Sequence, residues 1–281
     1  MIPDWGHIPV LPQDVQAYLQ PHSGGHFLDA TVGLGGHSEL LLQTPHIHLT
    51  AIDRDAQALA LAKQRLHGYP VTWWQGNYAD FPGGEFDGIL ADVGVSSLHL
   101  DTPARGFSFR HAGPLDMRMD QGQGKTAAEL VNHASEAELV HLFSQYGEAP
   151  FARRIARAIV QKRPLTNTVQ LAETIRQAVP AGARYGRIHP ATQIFQALRV
   201  AVNEELTSLE RFLERAPAWL KPGGRIVIIS FHSLEDRLVK WAFRRDDRLE
   251  ILTPKPVTPT PAEQQENPRS RSAKLRAARR R

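Results

Sequence analysis

The chain has 281 residues, 42% of them hydrophobic, no cysteine and a formal net charge of +4. This composition predicts a globular protein with one large domain or two modest ones, and the missing cysteines exclude disulfides, iron–sulfur clusters, thiolate zinc sites and cysteine nucleophiles. The thirteen histidines show no HExxH-like spacing, so no metal is expected. Because no apolar run is long enough for a membrane span and no signal peptide is evident, we expect a cytoplasmic protein without membrane association.

Strands and helices alternate in the pattern between residues 26 and 95. Hydrophobic runs ending in glycine or aspartate indicate four strands, and Asp55 is placed to cap the helix after the second. Such alternation with short connections predicts an α/β fold, a parallel sheet with helices on both faces. The four strands are predicted at HFLDATVG, HLTAIDRD, VTWWQGN and FDGILADVGV.

The next hundred residues are mostly helical, and then the sheet pattern resumes. A capping box from Ser135 to Glu138 opens one helix, and a long helix is predicted from near Pro190 through Leu213. The strand RIVIIS follows, so the helical block is an insertion. We expect a discontinuous domain of residues 1–103 and 204–281 and an inserted helical domain of residues 104–203.

The basic residues are concentrated in two regions. Nine lysines or arginines lie between Pro150 and Arg199, against the single acid Glu173. From Asn267 to Arg281 there are seven and no acid, after a proline-rich stretch that is expected to lie unpacked on the surface. Two such regions favour a nucleic-acid partner, and the tail from about residue 267 is expected to contact phosphates without reading sequence.

A glycine-rich loop, DATVGLGGHS, joins the first strand to the first helix of the alternating pattern. Asp53 closes the second strand, Tyr78 follows the third, and Asp92 closes the fourth. Because the carboxyl ends of parallel strands share one edge of a sheet, these residues predict a nucleotide site there.

The spacing of this loop favours one nucleotide over others. The dinucleotide fingerprint needs a third glycine where this chain has Ser38, and no P-loop lysine follows. S-adenosylmethionine has no pyrophosphate, so its amino-acid end can approach Gly33 to Gly36, its ribose suits Asp53, and its adenine suits Tyr78. We therefore expect this cofactor ahead of NAD.

Seven motifs occur in order along essentially the whole chain: DATVGLGGHS, AIDRDAQAL, ADVGVSS, RGFSFR with GPLDMRMD, HPATQIFQALR, ISFHSLEDR and NPRSRSAKLR. Together they resemble the RsmH (MraW) family of ribosomal RNA methyltransferases. The resemblance implies a class I methyltransferase with a Rossmann-like sheet and an inserted helical domain. It also implies S-adenosylmethionine-dependent methylation of N4 of a cytidine in the decoding region of small-subunit (16S) ribosomal RNA, with S-adenosylhomocysteine as product.

Carried over by position, the family's cofactor contacts fall on seven residues of this chain. Tyr78 stands where the family usually has phenylalanine, which keeps an aromatic face for adenine. His99 stands where glutamine is common, which keeps a hydrogen-bonding side chain. The seven positions are Gly35, Gly36, His37, Asp53, Tyr78, Asp92 and His99.

The residues also suggest how the amine is activated. The missing cysteines leave direct transfer to nitrogen or oxygen, and an acceptor that bonds the N–H of a cytosine amine would localise its lone pair. Asp92 is the candidate acceptor, with His232 and Ser230 as alternatives. Glu235 and Asp236 are interpreted as a helix N-terminal cap.

An aromatic and basic segment follows the fourth strand. Arg105, Phe107 and Phe109 could clamp and stack a splayed base, although packing is an equal alternative for one of the phenylalanines. Arg118 and Arg187 are candidates for contacts with the RNA backbone.

The expected partner is small-subunit ribosomal RNA, within an assembled or assembling 30S particle. Free RNA as the substrate and a homodimer both stay open. Two other functions are weighed against this one: an RNA-binding assembly factor without transfer activity, and an NAD-dependent oxidoreductase.

Overall fold

The computed structural model describes residues 8–186 and 189–281, which form two compact units. The first unit contains the described residues up to Gly94 together with Leu206–Arg281, and the second contains Val95–Glu205. Among the described residues, we find no helix with the length and hydropathy needed to cross a membrane.

A seven-stranded sheet forms the centre of the first unit, and it confirms the predicted α/β class. The strands lie side by side in the order β3-β2-β1-β4-β5-β7-β6. Pairing is parallel from β3 to β5, whereas β7 runs antiparallel to both β5 and β6. The strands are β1 (His26–Asp29), β2 (His48–Asp53), β3 (Val71–Gln75), β4 (Phe86–Asp92), β5 (Leu220–Ser230), β6 (Leu249–Ile251) and β7 (Lys274–Arg280).

Twelve α-helices are present in the described residues, and α4 to α9 belong to the second unit. Short 3-10 turns occur at Tyr78–Asp80, Pro103–Arg105, Ala181–Ala183 and Pro268–Ser272. The helices are α1 (Pro12–Leu19), α2 (Gly36–Leu42), α3 (Ala56–Arg65), α4 (Ser97–Asp101), α5 (Ala127–His133), α6 (Glu136–Gln145), α7 (Ala152–Gln161), α8 (Thr168–Ala178), α9 (Ala191–Asn203), α10 (Glu205–Trp219), α11 (Ser233–Arg245) and α12 (Pro261–Glu266).

Alternate residues of the central strands enter two separate cores. Phe27 and Leu49 pack on the side of α1, α2 and α3, whereas Leu28 and Ile52 pack on the side of α10 and α11. Both faces of a parallel sheet are therefore covered, which explains why its strands read as continuous hydrophobic runs. The predicted caps also form: Asp55 accepts from two backbone N–H groups at the start of α3, and Ser135 and Glu138 form a capping box.

The second unit is built from helices around its own core. Large side chains of α6, α7, α8 and α9 meet there, including Phe143, Ile155, Ile175 and Leu198. The side chain of Asn203 is buried in the same unit and donates to the carbonyl oxygens of Met117 and Arg199, at 2.8 and 2.9 Å.

The predicted long helix from Pro190 to Leu213 is wrong, because two helices occupy this range. Helix α9 ends at Asn203, and α10 begins at Glu205. Between them Glu204 has a left-handed backbone with φ of 50°. Glu204 is the C-cap of α9, and its N–H donates to carbonyl oxygens of that helix. One helix therefore ends and the next begins here, although the sequence has no proline or glycine at this point.

The basic tail predicted from about residue 267 is part of the sheet, because its residues Lys274–Arg280 form the strand β7. Leu275, Ala277 and Ala278 are fully buried between β5 and β6. The preceding stretch is not unpacked either: it contains α12, whose Glu263 accepts from the N–H of Leu11 at 2.7 Å. The C-terminal segment thus completes the sheet.

Candidate active site

The glycine loop leaves the carboxyl end of β1 and enters α2 through two left-handed glycines. Gly33 has φ of 52° and Gly35, the N-cap of α2, has φ of 80°. At Gly33 an added Cβ would meet only the carbonyl oxygen of Thr31, at 3.9 Å. Backbone conformation rather than crowding therefore requires glycine here, and open space is left beside the loop.

Asp53 ties this loop to the next strand. One carboxylate oxygen, Oδ2, accepts a hydrogen bond from the N–H of Gly33 at 2.8 Å, and Oδ1 accepts from the N–H of Asp55 at 2.8 Å. Asp53 therefore fixes the position of the glycine loop relative to the end of β2.

Asp29 is the last residue of β1, just before the loop, and is only 1% exposed. Its carboxyl group accepts from the hydroxyl of Ser38 at 2.6 Å and from the N–H of Thr31 at 3.1 Å. Burial raises the pKa of Asp29 from 3.8 to about 6, against the smaller opposing effects of these hydrogen bonds and of His37. Ser38, which departs from the dinucleotide fingerprint, is thus a buried donor to this acid.

Asp92 closes β4 beside the same loop. Its backbone N–H donates to the hydroxyl oxygen of Thr31 at 2.7 Å, and its Oδ2 lies 3.6 Å from Nε2 of His37. The structure thus brings β1, α2 and β4 together around one carboxylate and one imidazole.

Three polar atoms of this pair are buried without a hydrogen-bond partner among the described residues: Nδ1 and Nε2 of His37 and Oδ1 of Asp92. Leaving a buried polar atom unsatisfied costs about 1–3 kcal/mol, so such a cluster indicates a site for a polar ligand. A ligand that both donates to a carboxylate and accepts from an imidazole N–H would satisfy Oδ1 of Asp92 and one ring nitrogen of His37.

Tyr78 begins a 3-10 turn at the carboxyl end of β3. Asn77 caps this turn by accepting from the N–H of Ala79 at 3.1 Å, and its amide donates to the hydroxyl of Ser208 at 2.8 Å. The Tyr78 ring packs edge-on against Phe212, with ring centroids 5.0 Å apart. This fourth strand end completes the edge of the sheet that also carries Gly33, Asp53 and Asp92.

The alternative acceptors in SFHSLEDR have structural contacts of their own. His232 is the N-cap of α11 and forms a capping box with Glu235, whose buried carboxylate also accepts from the N–H of Phe231 at 2.9 Å. The Ser230 hydroxyl is directed to the carbonyl of Lys274 at 3.4 Å. The cap interpretation is confirmed for Glu235, but Asp236 instead pairs with Arg276 at 2.6 Å.

The second unit contains His99 and the aromatic segment. His99 closes a capping box with Ser96, and its ring stacks on Phe107 with centroids 4.7 Å apart. Phe107 is buried in the core of this unit, whereas Phe109 is partly buried against Phe195 and His189. Packing is therefore the role of Phe107.

The basic candidates of this unit differ in their surroundings. Arg105 is only 3% exposed and donates to the carbonyl oxygens of Arg118 and Met119, so its assignment as a surface cation for RNA is wrong. Arg118 forms a two-point ion pair with Asp116, at 2.8 and 3.0 Å. Arg187 lies outside the described residues.

Two functional positions were missed by the sequence reasoning, Thr31 and Ser38. Both hydroxyls bind parts of the site, Thr31 the backbone of Asp92 and Ser38 the carboxyl of Asp29. The only signal for them in the sequence is that both hydroxyl residues stand inside the glycine-rich motif DATVGLGGHS.

Comparison with known proteins shows the family and confirms the expected one. The sequence profile of the MraW methylase family matches residues 4–281. Ribosomal RNA small subunit methyltransferase H from Rippkaea orientalis (strain PCC 8801 / RF-1) is 60% identical over 280 residues, 98% of this chain and 92% of the relative. Proteins of the same name from Trichormus variabilis (strain ATCC 29413 / PCC 7937) and Cyanothece sp. (strain PCC 7425 / ATCC 29141) are each 58% identical, over 98% and 99% of this chain and 92% and 96% of the relatives. Because the profile spans almost the whole sequence and the relatives match over nearly their full lengths, this chain belongs to the MraW methylase family.

Proposed function

We propose that this protein transfers a methyl group from S-adenosylmethionine to the N4 amine of a cytidine in the decoding region of small-subunit (16S) ribosomal RNA. The family and the printed names of the relatives support methylation of small-subunit ribosomal RNA. The observation that carries the proposal is the partly buried Asp92 carboxylate next to an open glycine loop, since its buried Oδ1 has no hydrogen-bond partner in the described chain.

The residues at this edge fit the cofactor chemically. An ammonium group can donate to Asp92, a carboxylate can accept from His37, ribose hydroxyls can donate to Asp53, and Tyr78 offers an aromatic face. When bound, S-adenosylmethionine supplies an electrophilic methyl group on a sulfonium. We assign its binding to Gly33, Gly35, Gly36, His37, Asp53, Tyr78, Asp92 and His99.

We propose Asp92 as the residue that activates the amine. A cytosine amine is a weak nucleophile, and an N–H bonded to Oδ1 has its nitrogen lone pair more localised. The carboxylate can also take the proton that the amine loses. Because Oδ2 already faces His37 at 3.6 Å, the two oxygens have different surroundings and can serve different partners. The structural contacts of His232 and Ser230 make both weaker candidates.

The RNA contacts are proposed mainly on the second unit. Helix α7 exposes Arg153, Arg154 and Arg157 on the side opposite its buried Ile155 and Ile159. A stripe of this kind suits a phosphate backbone. Partly exposed Phe109 is proposed to stack a base, and Arg118 and Arg187 are proposed to bind phosphates.

Incorporation of labelled methyl groups tests the proposal. Tritiated S-adenosylmethionine is incubated with the protein and small subunits that lack the modification, and the RNA is then digested and analysed by mass spectrometry. We expect one N4-methylated cytidine, and incorporation slowed about 100-fold or more with Asp92→Asn. RNA binding without incorporation by the unaltered protein would contradict the proposal, as would a methyl group on carbon.

A further inference from the structure

Helix α11 presents a stripe of cationic residues around an exposed tryptophan. Its buried face is formed by Glu235, Val239 and Phe243. The residues at positions 237, 240, 241, 244 and 245 have the i, i+3, i+4, i+7, i+8 spacing of a single helical face. They are Arg237, Lys240, Trp241, Arg244 and Arg245, and all are exposed except Lys240, which is partly exposed.

Trp241 is 44% exposed, and three of these cations surround its ring. Lys240 Nζ lies 5.5 Å from the ring, Arg244 Cζ 5.8 Å and Arg245 Cζ 5.3 Å. Exposure of a large indole leaves apolar area in water, and three like charges beside it repel each other. Each cation–π contact contributes only about 0.5–1 kcal/mol at an exposed site. The exposed indole and the clustered charges together suggest a partner that is both aromatic and anionic.

Two other exposed arginines of the first unit are paired with carboxylates. Arg211 pairs with Asp80, and Arg279 pairs with Glu250, each at 2.6 Å. In contrast, Lys240, Arg244 and Arg245 form no ion pair with any carboxylate in the described part of the chain. Even Asp246, next in sequence, is bound to Arg248 at 2.6 Å. These three cations therefore have no carboxylate partner at ion-pair distance in the described residues.

We propose that this stripe is a second RNA-binding surface, on which Trp241 stacks a base of single-stranded ribosomal RNA while Lys240, Arg244 and Arg245 hold its phosphates. The proposal rests on the function proposed above, since it extends the contact of the same RNA. Base stacking on an aromatic ring beside arginine is the usual way that proteins hold single-stranded RNA.

The neighbouring cleft indicates which way the nucleotide lies. A cleft of about 670 Å³ adjoins Trp241, with Leu213, Leu238 and Ala242 among its lining residues. Four acidic residues also line it and would repel a phosphate: Glu210, Glu214, Asp246 and Asp247. We therefore place the base toward the cleft and the phosphates on the cationic side of the ring.

The stripe also starts close to the proposed transfer site within the first unit. Helix α11 begins three residues after β5 ends, at the edge of the sheet that carries Asp53 and Asp92. Trp241 is eight residues further along, about 12 Å at 1.5 Å per residue. RNA that leaves this edge can therefore follow the helix.

Binding of a fluorescein-labelled single-stranded oligoribonucleotide, measured by anisotropy, tests the proposal. We expect Trp241→Ala to weaken binding about tenfold and Trp241→Phe to recover most of it, because an aromatic face is restored. Tyr69→Ala is the matched control, since Tyr69 is 40% exposed on the same unit. Equal affinities for Trp241→Ala and Tyr69→Ala would overturn the proposal.

The charges are tested separately through the salt dependence. Arg244→Ala/Arg245→Ala removes two charges that have no carboxylate partner at ion-pair distance in the described residues, and Arg211→Ala/Arg279→Ala removes two charges that are paired with carboxylates. Only the first pair should weaken binding and reduce the slope of log K against log salt, by about 1.4 for two phosphate contacts. Equal slopes for the two double variants would contradict the assignment.

Two further measurements separate this proposal from its alternatives. In methylation of small subunits, Trp241→Ala should raise KM while kcat, cofactor affinity and melting temperature stay unchanged. If the unaltered protein methylates no RNA, the proposed function fails; if it methylates normally but Trp241→Ala has unchanged KM, this proposal alone fails. A change in sedimentation of Trp241→Ala without a change in RNA binding would assign the surface to a second copy of the chain and overturn the proposal.

Discussion

Asp53 holds the backbone N–H of Gly33 at 2.8 Å, across the gap between β2 and the glycine loop. The same carboxylate accepts from Asp55 at the start of α3. A carboxylate has about four acceptor positions, so two bonds to the backbone leave capacity for ribose hydroxyls. Asp53 therefore holds the glycine loop in position and is also the proposed ribose ligand.

We expect Asp53→Ala to abolish measurable cofactor binding and Asp53→Asn to weaken it at least tenfold. Asparagine keeps one acceptor oxygen, so it can satisfy Gly33 or Asp55 but not both. Isothermal titration with S-adenosylhomocysteine measures the affinity. RNA binding should persist in both variants, and Glu250→Ala, which removes an exposed carboxylate of β6, should bind cofactor normally. Unchanged affinity in Asp53→Ala would refute the assignment.

The buried acid Asp29 should make stability depend on pH in an unusual direction. Its pKa of about 6 in the folded protein lies above the ordinary value of 3.8, so between these pH values the native state holds the proton more tightly than the unfolded state. Its contribution is therefore fully present below about pH 4 and is lost as pH rises through 6. The shift corresponds to about 3 kcal/mol at most.

Asp29→Asn isolates this effect, because asparagine cannot ionise but can still accept from Thr31 and pair with Ser38. Urea unfolding of both proteins from pH 4 to 7.5 measures the difference in free energy of unfolding. We expect the variant to gain about 2–3 kcal/mol relative to the unaltered protein across this range. Acids with lowered pKa, such as Asp116, are present in both proteins, so their contributions cancel in the difference in free energy of unfolding. Parallel stability curves would show that Asp29 does not titrate in this window.

Asp92→Asn should lower the rate of transfer by about 100-fold or more, the usual scale for losing a positioned acid–base group. The hydrogen bond from its backbone N–H to Thr31 is unaffected, so the fold should be kept.

A companion pair of variants tests whether Thr31 positions Asp92. Thr31→Ala loses the oxygen that accepts the Asp92 N–H and should slow transfer about tenfold, whereas Thr31→Ser should recover the rate. Single-turnover rates with a parallel cofactor titration separate transfer from binding. Equal losses in both quantities would make Asp92 a cofactor ligand only.

The strand ends of the site were predictable because short-range signals mark them. β2 and β4 end in aspartates after continuous apolar runs, and parallel strands bring such ends to one edge. The capping box at Ser135 was equally local. These features depend on neighbours within a few residues, which a single sequence displays directly.

What the sequence did not reveal depends on distant partners. KLRAARR looks like a solvated basic tail. In the structure, Arg276 forms a hydrogen bond with Asp236, forty residues away in sequence, and the residues next to Arg276 are buried between two strands. Arg105 likewise looked like a surface cation, but its side chain is buried and donates to two carbonyl oxygens of the following loop. Charge predicts exposure only where no partner is supplied by the fold.

The C-terminal strand therefore yields a stability prediction rather than an RNA-binding one. Truncation after Pro268 removes β7 from between β5 and β6, and we expect no cooperative thermal unfolding. Arg276→Gln should cost about 3 kcal/mol, since Asp236 would be left largely buried without its main partner. Burial raises the pKa of Asp236, but Arg276 and Lys274 hold it below the ordinary value, which agrees with a net stabilising pair. Arg279→Gln, at an exposed pair with Glu250, should cost less than about 1 kcal/mol. A truncated chain that melts cooperatively at the same temperature would show that β7 is dispensable and restore the tail as a candidate RNA contact.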